Sequence, residues 1–193
     1  MKRMNGRDFF FFFYKHIIRI VKITKKLPKR FRTWLLNANR NKNGNIGNLV
    51  RYIAVASLAK KVGKNVAILP GAYFEYIENL SLGDNVSIHQ MCYIDAEGGV
   101  EIGDNVSIAH RSTILSSNHG YIRNDTPIKY QEMTLAKTII NDNVWIGCGC
   151  VVLAGVEIGS GSVIGANSTV NRSIPENSIA VGSPARRIKG RLD

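Results

Sequence analysis

The sequence contains few cysteines: Cys92, Cys148 and Cys150 are the three that occur in 193 residues. This small, odd number argues against a secreted disulfide framework and favours a cytoplasmic protein. The Cys148-Gly-Cys150 pair does not indicate zinc, because no second ligand pair follows at matching spacing, and no metal is expected. Cys92 and Cys150 are predicted to be buried as small apolar residues.

Acidic residues are almost absent from the start of the chain. Residues 1–45 carry 13 Lys or Arg and one acid, whereas the remainder carries 13 basic and 13 acidic side chains. The net charge of +12 therefore belongs to an N-terminal arm, and the rest of the protein is neutral. A nucleic-acid role would have to depend on that arm alone, so no nucleic-acid partner is expected.

The arm also lacks a long uninterrupted apolar run. Six aromatic residues occupy positions 9–14, but basic residues interrupt any window of roughly 20 residues, so no transmembrane span is expected. No small-residue cleavage site follows, which argues against a signal peptide. Such a helix either contacts an anionic membrane through residues 1–30, at the inner face of the plasma membrane, or packs its aromatic face on this protein or a neighbouring subunit. Helical spacing places four basic residues on one face: Lys15, Arg19, Lys22 and Lys26.

A six-residue period occupies the second half of the chain. Neither an α-helix nor a half-buried strand repeats every six residues, so the period indicates a short unit that is stacked. Gly or Asn follows most of the repeating residues, and we expect positive φ angles there. Each hexad is interpreted as a short strand plus a corner, and three hexads make one triangular coil of a parallel β-helix. The repeating residues are Ile140, Ile146, Val152, Ile158, Ile164 and Val170.

The same period occurs upstream with interruptions. Residues 96–99 add two positions between two sets of hexads, which predicts a bulge at a corner. A longer polar excursion, about 119–138, has no hexad, and such an excursion from a regular solenoid is typical of a functional loop. We expect it to border the active site. The upstream sets are Val62, Ile68 and Phe74; Leu82, Ile88 and Ile94; and Ile102, Ile108 and Ile114.

These patterns predict a mainly β protein with a helical arm. The basic aromatic arm covers 1–45, a connector or cap covers 46–61, the β-helix covers 62–175 and a closing segment covers 176–193. An Asn- and Gly-rich run at 37–48 is typical of turns or a linker.

Several motifs of the repeats resemble those of the hexapeptide-repeat acyltransferases. The resemblance covers about residues 62–190 and is strongest for O-acetyltransferases that modify sugars, including those of capsule and lipopolysaccharide. It implies a left-handed coil, a homotrimer and direct transfer from acetyl-CoA. The motifs are Ile-Gly-Asp-Asn-Val-Ser at 102–107, Asn-Val-Trp-Ile-Gly at 143–147, Ile-Gly-Ala-Asn-Ser-Thr-Val at 164–170 and Ala-Val-Gly-Ser-Pro-Ala-Arg at 180–186.

The resemblance assigns the reacting groups. Ser116-Ser-Asn-His-Gly-Tyr121 is similar to the family's catalytic segment, so His119 is expected to be the general base. A hydroxyl acceptor must lose its proton as it attacks a thioester, and an imidazole that titrates near neutral pH suits this task. The backbone N–H of Cys148 matches the amide that stabilises the developing oxyanion.

The acceptor side is matched less closely. His89, Asp95 and Asn118 are candidates to contact a sugar hydroxyl, and Asp95 could instead orient His119 or satisfy the amides of its own corner. Maltose- and galactoside-type enzymes carry an Asn where this chain has Ile88-His-Gln-Met91, and their N-terminal domain is not recognisable here. A hydroxyl of a surface polysaccharide or its lipid-linked precursor is therefore favoured over a simple disaccharide.

For the donor, the resemblance implies acetyl-CoA in a groove between two subunits. A tryptophan lies beside the pantetheine arm, backbone atoms of the later coils contact it, and basic side chains face the nucleotide phosphates. A solvated basic tail is the alternative for residues 186–191. Gly147-Cys-Gly149 lacks the third glycine of a dinucleotide fingerprint, so no Rossmann site is expected. The matching positions are Trp145, Gly147, Cys148, Ala166, Asn171, Arg172, Arg186 and Lys189.

Two other functions stay open at this point. An N-acetyltransferase that acts on an amino-sugar nucleotide would use the same base and donor. The other is a non-catalytic or metal-binding β-helix, similar to the carbonic-anhydrase-like relatives, whose histidines bind zinc across subunits. His89, His110 and His119 could be mistaken for such ligands. The sequence favours the cytoplasmic O-acetyltransferase of sugars.

Overall fold

The structure is a computed structural model that describes residues 6–191 and 193, with side chains from residue 13 onwards. The side chains of the aromatic run at 9–12 therefore lie outside the described residues. Between residues 6 and 60 the chain forms α1 (Gly6–Lys25), α2 (Lys29–Ala38) and α3 (Gly44–Leu58). Both α1 and α2 pack against α3, which also contacts the first strands of the β-helix. The described helices include none with the length and apolar character that a membrane crossing requires.

Buried polar contacts fix α3 to the first coil. Arg51 is 1% exposed, and its Nε donates to the carbonyl of Ile68 at 2.7 Å. Its Nη1 donates to the carbonyl of Lys42 at 2.6 Å, which ties the segment before α3 to the helix. The Asn48 side chain accepts the N–H of Ile68 at 2.8 Å. These contacts explain why α3 begins at Gly44, inside the Asn-rich run, and crosses the predicted boundary at residue 45.

The rest of the chain winds into a parallel β-helix with three faces. Face A contains Lys61–Val62, Leu80–Leu82, Val100–Ile102, Thr138–Ile140 and Glu157–Ile158. Face B contains Ala67–Ile68, Ser87–Ile88, Ser107–Ile108, Trp145–Ile146, Val163–Ile164 and Ser178–Val181, with Arg186–Gly190 added antiparallel at its end. Face C contains Tyr73–Glu75, Tyr93–Asp95, Thr113–Ile114, Val151–Val152 and Thr169–Val170. The predicted mainly β fold, a parallel β-helix with an N-terminal helical arm, is confirmed.

The inner residues of the coils stack in columns, which explains the period of six. Each coil returns the chain to the same column, so one apolar side chain lies above another. Burying such a side chain is worth about 1.5–3 kcal/mol relative to leaving it exposed. Cys92 and Cys150 are 1% and 0% exposed, as expected for apolar inner positions. On face B the column contains Ile68, Ile88, Ile108, Ile146 and Ile164, all fully buried and in register.

The corners correct one expectation about glycine. Positive φ angles do not occur directly after the inner residues of these coils but three positions after them, as at Asn143 after Ile140 and Gly149 after Ile146. The glycines that directly follow the inner residues are needed for space, because a Cβ at Gly147 would lie 2.6 Å from the backbone nitrogen of Ala166 in the next coil. The residues with positive φ angles in this region include Asn143, Gly149, Gly161 and Asn167.

Extra residues leave the coils where the chain passes from face C to face A. The 3₁₀ helix Ile77–Asn79 occupies this corner in the first coil, and residues 96–99 occupy it in the second. In the third coil the excursion forms a short antiparallel hairpin, Ser117–Asn118 with Thr134–Leu135, and a second 3₁₀ helix, Ile128–Tyr130. The predicted protruding loop is thus the largest of three departures at one edge.

Candidate active site

His119 lies at the root of the excursion, on the edge between faces C and A. Asn118 pairs with Thr134 in the hairpin, and the N–H of Gly120 donates to the carbonyl of Glu132 at 3.1 Å. The backbone of His119 is therefore held on both sides, while its side chain is exposed to solvent. An imidazole in this position is accessible to a substrate and is fixed at its Cα.

Asp95 is buried beneath this hairpin, with 4% of its surface exposed. Its Oδ2 accepts a hydrogen bond from the Ser117 hydroxyl, and its Oδ1 accepts the N–H of Glu97 at 3.0 Å. The Ser116 hydroxyl donates to the Asp95 carbonyl at 2.8 Å and accepts the N–H of Gly98 at 2.9 Å. Both carboxylate oxygens of Asp95 are thus engaged in holding the root of the loop. The bond to Glu97 matches the alternative in which Asp95 satisfies the amides of its own corner, and the bond from Ser117 is compatible with the one in which it orients the segment that contains His119.

Ser117 is a site residue that the sequence analysis did not single out. It belongs to the motif that contains His119, but its partner Asp95 lies 22 residues earlier in the chain. Serine and aspartate are both common at corners, so nothing in the local pattern indicates the pair. Only the stacking of the coils brings the two side chains together.

The tip of the excursion is ordered by its own hydrogen bonds. The Gln131 side chain donates from Nε2 to the carbonyls of Arg123 and Thr126, at 2.7 and 2.8 Å. Its Oε1 accepts the N–H of Arg123 at 3.1 Å. Tyr121 and Tyr130 are both 72% exposed. The tip therefore keeps a defined shape while it presents aromatic side chains outwards.

A second group of the predicted residues lies on the edge between faces B and C. Cys148 is half-buried at this corner, and Trp145 on the adjoining face is exposed. Within the described residues the N–H of Cys148 donates to no acceptor, whereas the N–H groups of Gly147 and Gly149 bond to the coils on either side. Ala166, one coil further on, is exposed and has the same free amide. The oxyanion-binding role expected of Cys148 is thus available to its backbone.

His89 lies on the same edge, two coils before Gly147. It is half-buried, and burial together with the charge of His110 lowers the pKa of His89. No group of three or more His, Cys, Asp or Glu side chains within the described part of the chain has a metal-binding arrangement.

Face C separates the two groups of predicted residues. Asp95, Asn118 and His119 lie on the C–A edge, whereas His89 and Cys148 lie on the B–C edge. The structure of one chain does not bring the expected base next to the expected oxyanion amide.

The closing segment, residues 176–193, contacts the last coil near the residues expected to bind acetyl-CoA. The N–H of Ala185 donates to the carbonyl of Thr169 at 2.7 Å, and Nη1 of Arg186 donates to Oδ1 of Asn171 at 3.3 Å. Arg172 follows directly, and its side chain is exposed, as is that of Lys189. Three exposed basic side chains, those of Arg172, Arg186 and Lys189, therefore belong to the last coil and the strand that follows it.

Comparisons with known proteins agree with this architecture. The family model described as bacterial transferase hexapeptide (six repeats) matches residues 137–172. A putative acetyltransferase of Schizosaccharomyces pombe is 62% identical over 50 residues, which cover 26% of this chain and 24% of the relative. The chain thus matches only about a quarter of that relative's length.

Two longer matches extend the similarity over most of the β-helix. A putative colanic acid biosynthesis acetyltransferase, WcaF of Escherichia coli, is 31% identical over 135 residues, which cover 69% of this chain and 70% of the relative. A solved galactoside acetyltransferase in complex with coenzyme A superposes with a TM-score of 0.74 at 33% identity, covering 84% of this chain and 80% of that one. With its stacked hexads and free corner amides, the chain belongs to the hexapeptide-repeat acetyltransferases.

Proposed function

We propose that this protein transfers the acetyl group of acetyl-CoA directly to a sugar hydroxyl, with His119 as general base. The observation that carries the proposal is the position of His119, exposed at the root of a hairpin that Asp95 holds through Ser117. A base must reach its substrate and keep its orientation, and this arrangement provides both.

The reaction requires two further things of the chain. The imidazole of His119 takes the proton of the acceptor hydroxyl while the hydroxyl oxygen attacks the thioester carbonyl. Negative charge grows on the carbonyl oxygen, and the free N–H of Cys148 stabilises it. The tetrahedral intermediate then expels the thiolate of CoA, which regains a proton from the imidazolium. In this role Cys148 contributes its backbone, and its thiol takes no part.

The separation of the two edges supports a site between subunits. His119 and Cys148 lie on different edges of one prism, so the C–A edge of one protomer has to face the B–C edge of another. A homotrimer closes such contacts by rotation, because each protomer offers one edge of each kind. Each of its three clefts then contains one complete set of groups.

The donor fits the cleft along the later coils. We assign the pantetheine arm to the exposed side of Trp145 and the backbone near Gly147 and Ala166. Backbone atoms of Asn171 would also contact the donor. We assign the phosphates to the basic side chains of Arg172, Arg186 and Lys189, since guanidinium and ammonium groups pair with phosphate oxygens. The similar galactoside acetyltransferase was solved with coenzyme A, which supports this assignment.

The acceptor is a sugar hydroxyl of a surface polysaccharide or of its precursor. One relative is named for colanic acid biosynthesis and another for galactosides, and both names support a sugar acceptor for this protein. His89 and Asn118 would contact the sugar, and Asp95 would act through Ser117. The three cysteines form no disulfide bond, which is compatible with the proposal that the enzyme is cytoplasmic.

A direct assay tests the reaction. The full-length protein is incubated with acetyl-CoA and a panel of galactosides, capsular oligosaccharides and amino-sugar nucleotides, and thiol release is measured together with the NMR spectrum of the product. We expect ester formation on a hydroxyl. An amide product would replace the proposal by N-acetylation, and thiol release no faster than without acceptor would contradict both.

Mixed oligomers test whether the site is shared. Protomers with His119→Ala and protomers with Ala166→Tyr, which fills the donor side of the cleft at an exposed position, are coexpressed with two different tags. Each variant alone should be inactive, and the purified mixture should recover a fraction of wild-type activity. A mixture without activity, despite proven co-assembly, would place both residues in a site within one chain.

A further inference from the structure

Helices α1 and α2 expose large apolar side chains that the β-helix does not cover. Four of them, together with Leu27 in the turn between the two helices, form what we term the arm surface. Phe31 and Trp34 are in contact, with ring centroids 5.5 Å apart. The arm surface comprises Ile20 (45% exposed), Ile23 (58%), Leu27 (38%), Phe31 (42%) and Trp34 (58%).

Helix α1 divides into three sectors. Ile17, Val21 and Thr24 form the buried sector, which packs towards α3. At 3.6 residues per turn, Ile20 and Ile23 lie beside this buried sector. Three exposed basic residues lie beyond them, on the far side of the apolar sector: Lys15, Arg19 and Lys22. A buried aliphatic stripe thus holds α1 to the protein and leaves an apolar strip with a basic border outside.

The charge of the molecule is concentrated in the same segment. The net charge of +12 comes from residues 1–45, and the remainder of the chain is neutral. Among the described side chains of the arm, that of Lys29 forms a salt bridge, with Glu78 at 2.7 Å. Lys15, Arg19, Lys22 and Lys25 are exposed and remain available to an external anion.

The combination selects one kind of partner. A two-fold contact with a second copy of the chain would bring the basic border against itself, and like charges across an interface cost several kcal/mol by rough estimate. An apolar strip bordered by lysine and arginine matches the headgroup region of a bilayer that contains anionic lipid. Tryptophan is enriched at that depth, and Trp34 is on the exposed side of α2.

We propose that the arm surface docks the protein on anionic membranes, with α1 and α2 lying in the plane of the interface. Ile20, Ile23 and Trp34 enter the headgroup region, and Lys15, Arg19 and Lys22 pair with lipid phosphates. The docking requires neither donor nor acceptor, so it stands apart from the proposed acetyl transfer and can fail independently of it. It would hold the β-helix beside a lipid-linked acceptor.

Vesicle flotation of the full-length protein tests the docking. We expect it to float with vesicles that contain phosphatidylglycerol, to bind phosphatidylcholine vesicles weakly, and to be released by high salt. Lys15→Ala with Lys22→Ala should lower the partition coefficient about thirtyfold, since each lysine near such a surface contributes about 1 kcal/mol. Ile20→Ser with Ile23→Ser should lower it about tenfold or more.

A matched pair of lysines provides the control. Lys60→Ala with Lys61→Ala removes the same charge from two exposed positions outside the arm, and vesicle binding should stay within about twofold of wild type. In the Trp145→Phe variant Trp34 is the single tryptophan, and its emission should shift to the blue on binding. Circular dichroism melting checks that each variant is folded.

Three results would overturn the proposal. Full-length protein that ignores phosphatidylglycerol vesicles at low salt would exclude the membrane as partner. Equal losses for the lysine pair in the arm and the pair outside it would reduce the effect to net charge. Dissociation of the oligomer by Ile20→Ser with Ile23→Ser, seen by light scattering, would make the arm surface an interface between copies.

Discussion

The coils between Thr138 and Val170 and the excursion between Leu115 and Lys137 are neighbours in the chain but are stabilised in different ways. In the coils, inner residues such as Ile140 and Ile158 are fully buried. In the excursion, large apolar residues are exposed: Tyr121 is 72% exposed and Ile122 is 86% exposed. The coils therefore draw their stability from stacking, whereas the excursion draws its shape from hydrogen bonds.

This difference separates stability from function. A coil residue is constrained by the coils above and below it, so little can change there without a cost in packing. The excursion is attached to the coils at its root and is otherwise free of them, so it can carry a reactive side chain without straining the stack. Functional loops on a rigid scaffold follow the same principle. The comparison predicts that substitutions in the two regions affect different measurements.

Substitution of the proposed base should give the largest effect on activity. His119→Ala should lower kcat by roughly 10²–10⁴-fold, because general base catalysis contributes that much, while the melting temperature stays close to that of wild type. Steady-state kinetics with acetyl-CoA and the best acceptor, together with calorimetry, measure both. Near-normal turnover would show that His119 is not the base and that the excursion does not carry the catalytic group.

Truncation of an inner isoleucine should give the opposite result. Ile158→Ala opens a cavity in a column where the side chain is fully buried, and it should lower the free energy of unfolding by about 2–5 kcal/mol. Ile122→Ala removes the same atoms from an exposed loop position and should change it by less than about 0.5 kcal/mol. Denaturant titration of both variants measures the contrast, and equal losses would show that the excursion has a packed core of its own.

The stacked columns could be predicted from the sequence because burial follows the local period. The inner isoleucines of face B from Ile68 to Ile164 all fall on an expected sixth position, and the motif around His119 predicts that the excursion borders the active site. Glycine directly follows several inner residues, among them Ile146, Ile158 and Ile164, but the positive φ angle expected there does not occur. Glycine is needed there because a Cβ would collide with the next coil, as a Cβ at Gly147 would with the backbone of Ala166. The period of six residues does not reveal that contact.

Long-range contacts account for the features that the sequence did not reveal. Helix α3 begins in an Asn- and Gly-rich run whose local propensity is that of a turn. Arg51 and Asn48 stabilise it through contacts with Ile68 in the first coil. The hydrogen bond from Ser117 to Asp95 also joins different coils. Both sets of contacts depend on which coils are neighbours in space. The sequence alone does not show that these residues lie close together.

The root of the excursion allows a finer test of how the loop is held. Asp95→Asn keeps the size of the side chain but weakens its acceptance of the Ser117 hydroxyl, and it should lower kcat about tenfold with a smaller change in KM. Ser117→Ala should have a similar effect, and the double variant should be little worse than either single one. A pH profile of kcat/KM that shifts in both variants would identify them as positioning residues. Additive losses would contradict action through one hydrogen bond.

The smallest effect concerns a histidine that belongs to the coils. Burial and the nearby His110 lower the pKa of His89 below its ordinary value of 6.5. The unfolded chain therefore binds a proton there more readily than the folded one, and stability should fall as the pH drops through that value. The loss should stay below about 1 kcal/mol because the side chain is partly exposed and screened. Denaturation of wild type and His89→Gln at about pH 7.5 and about pH 5 measures it, and His110→Gln should remove part of the difference. A pH dependence that survives unchanged in His89→Gln would assign it to another group.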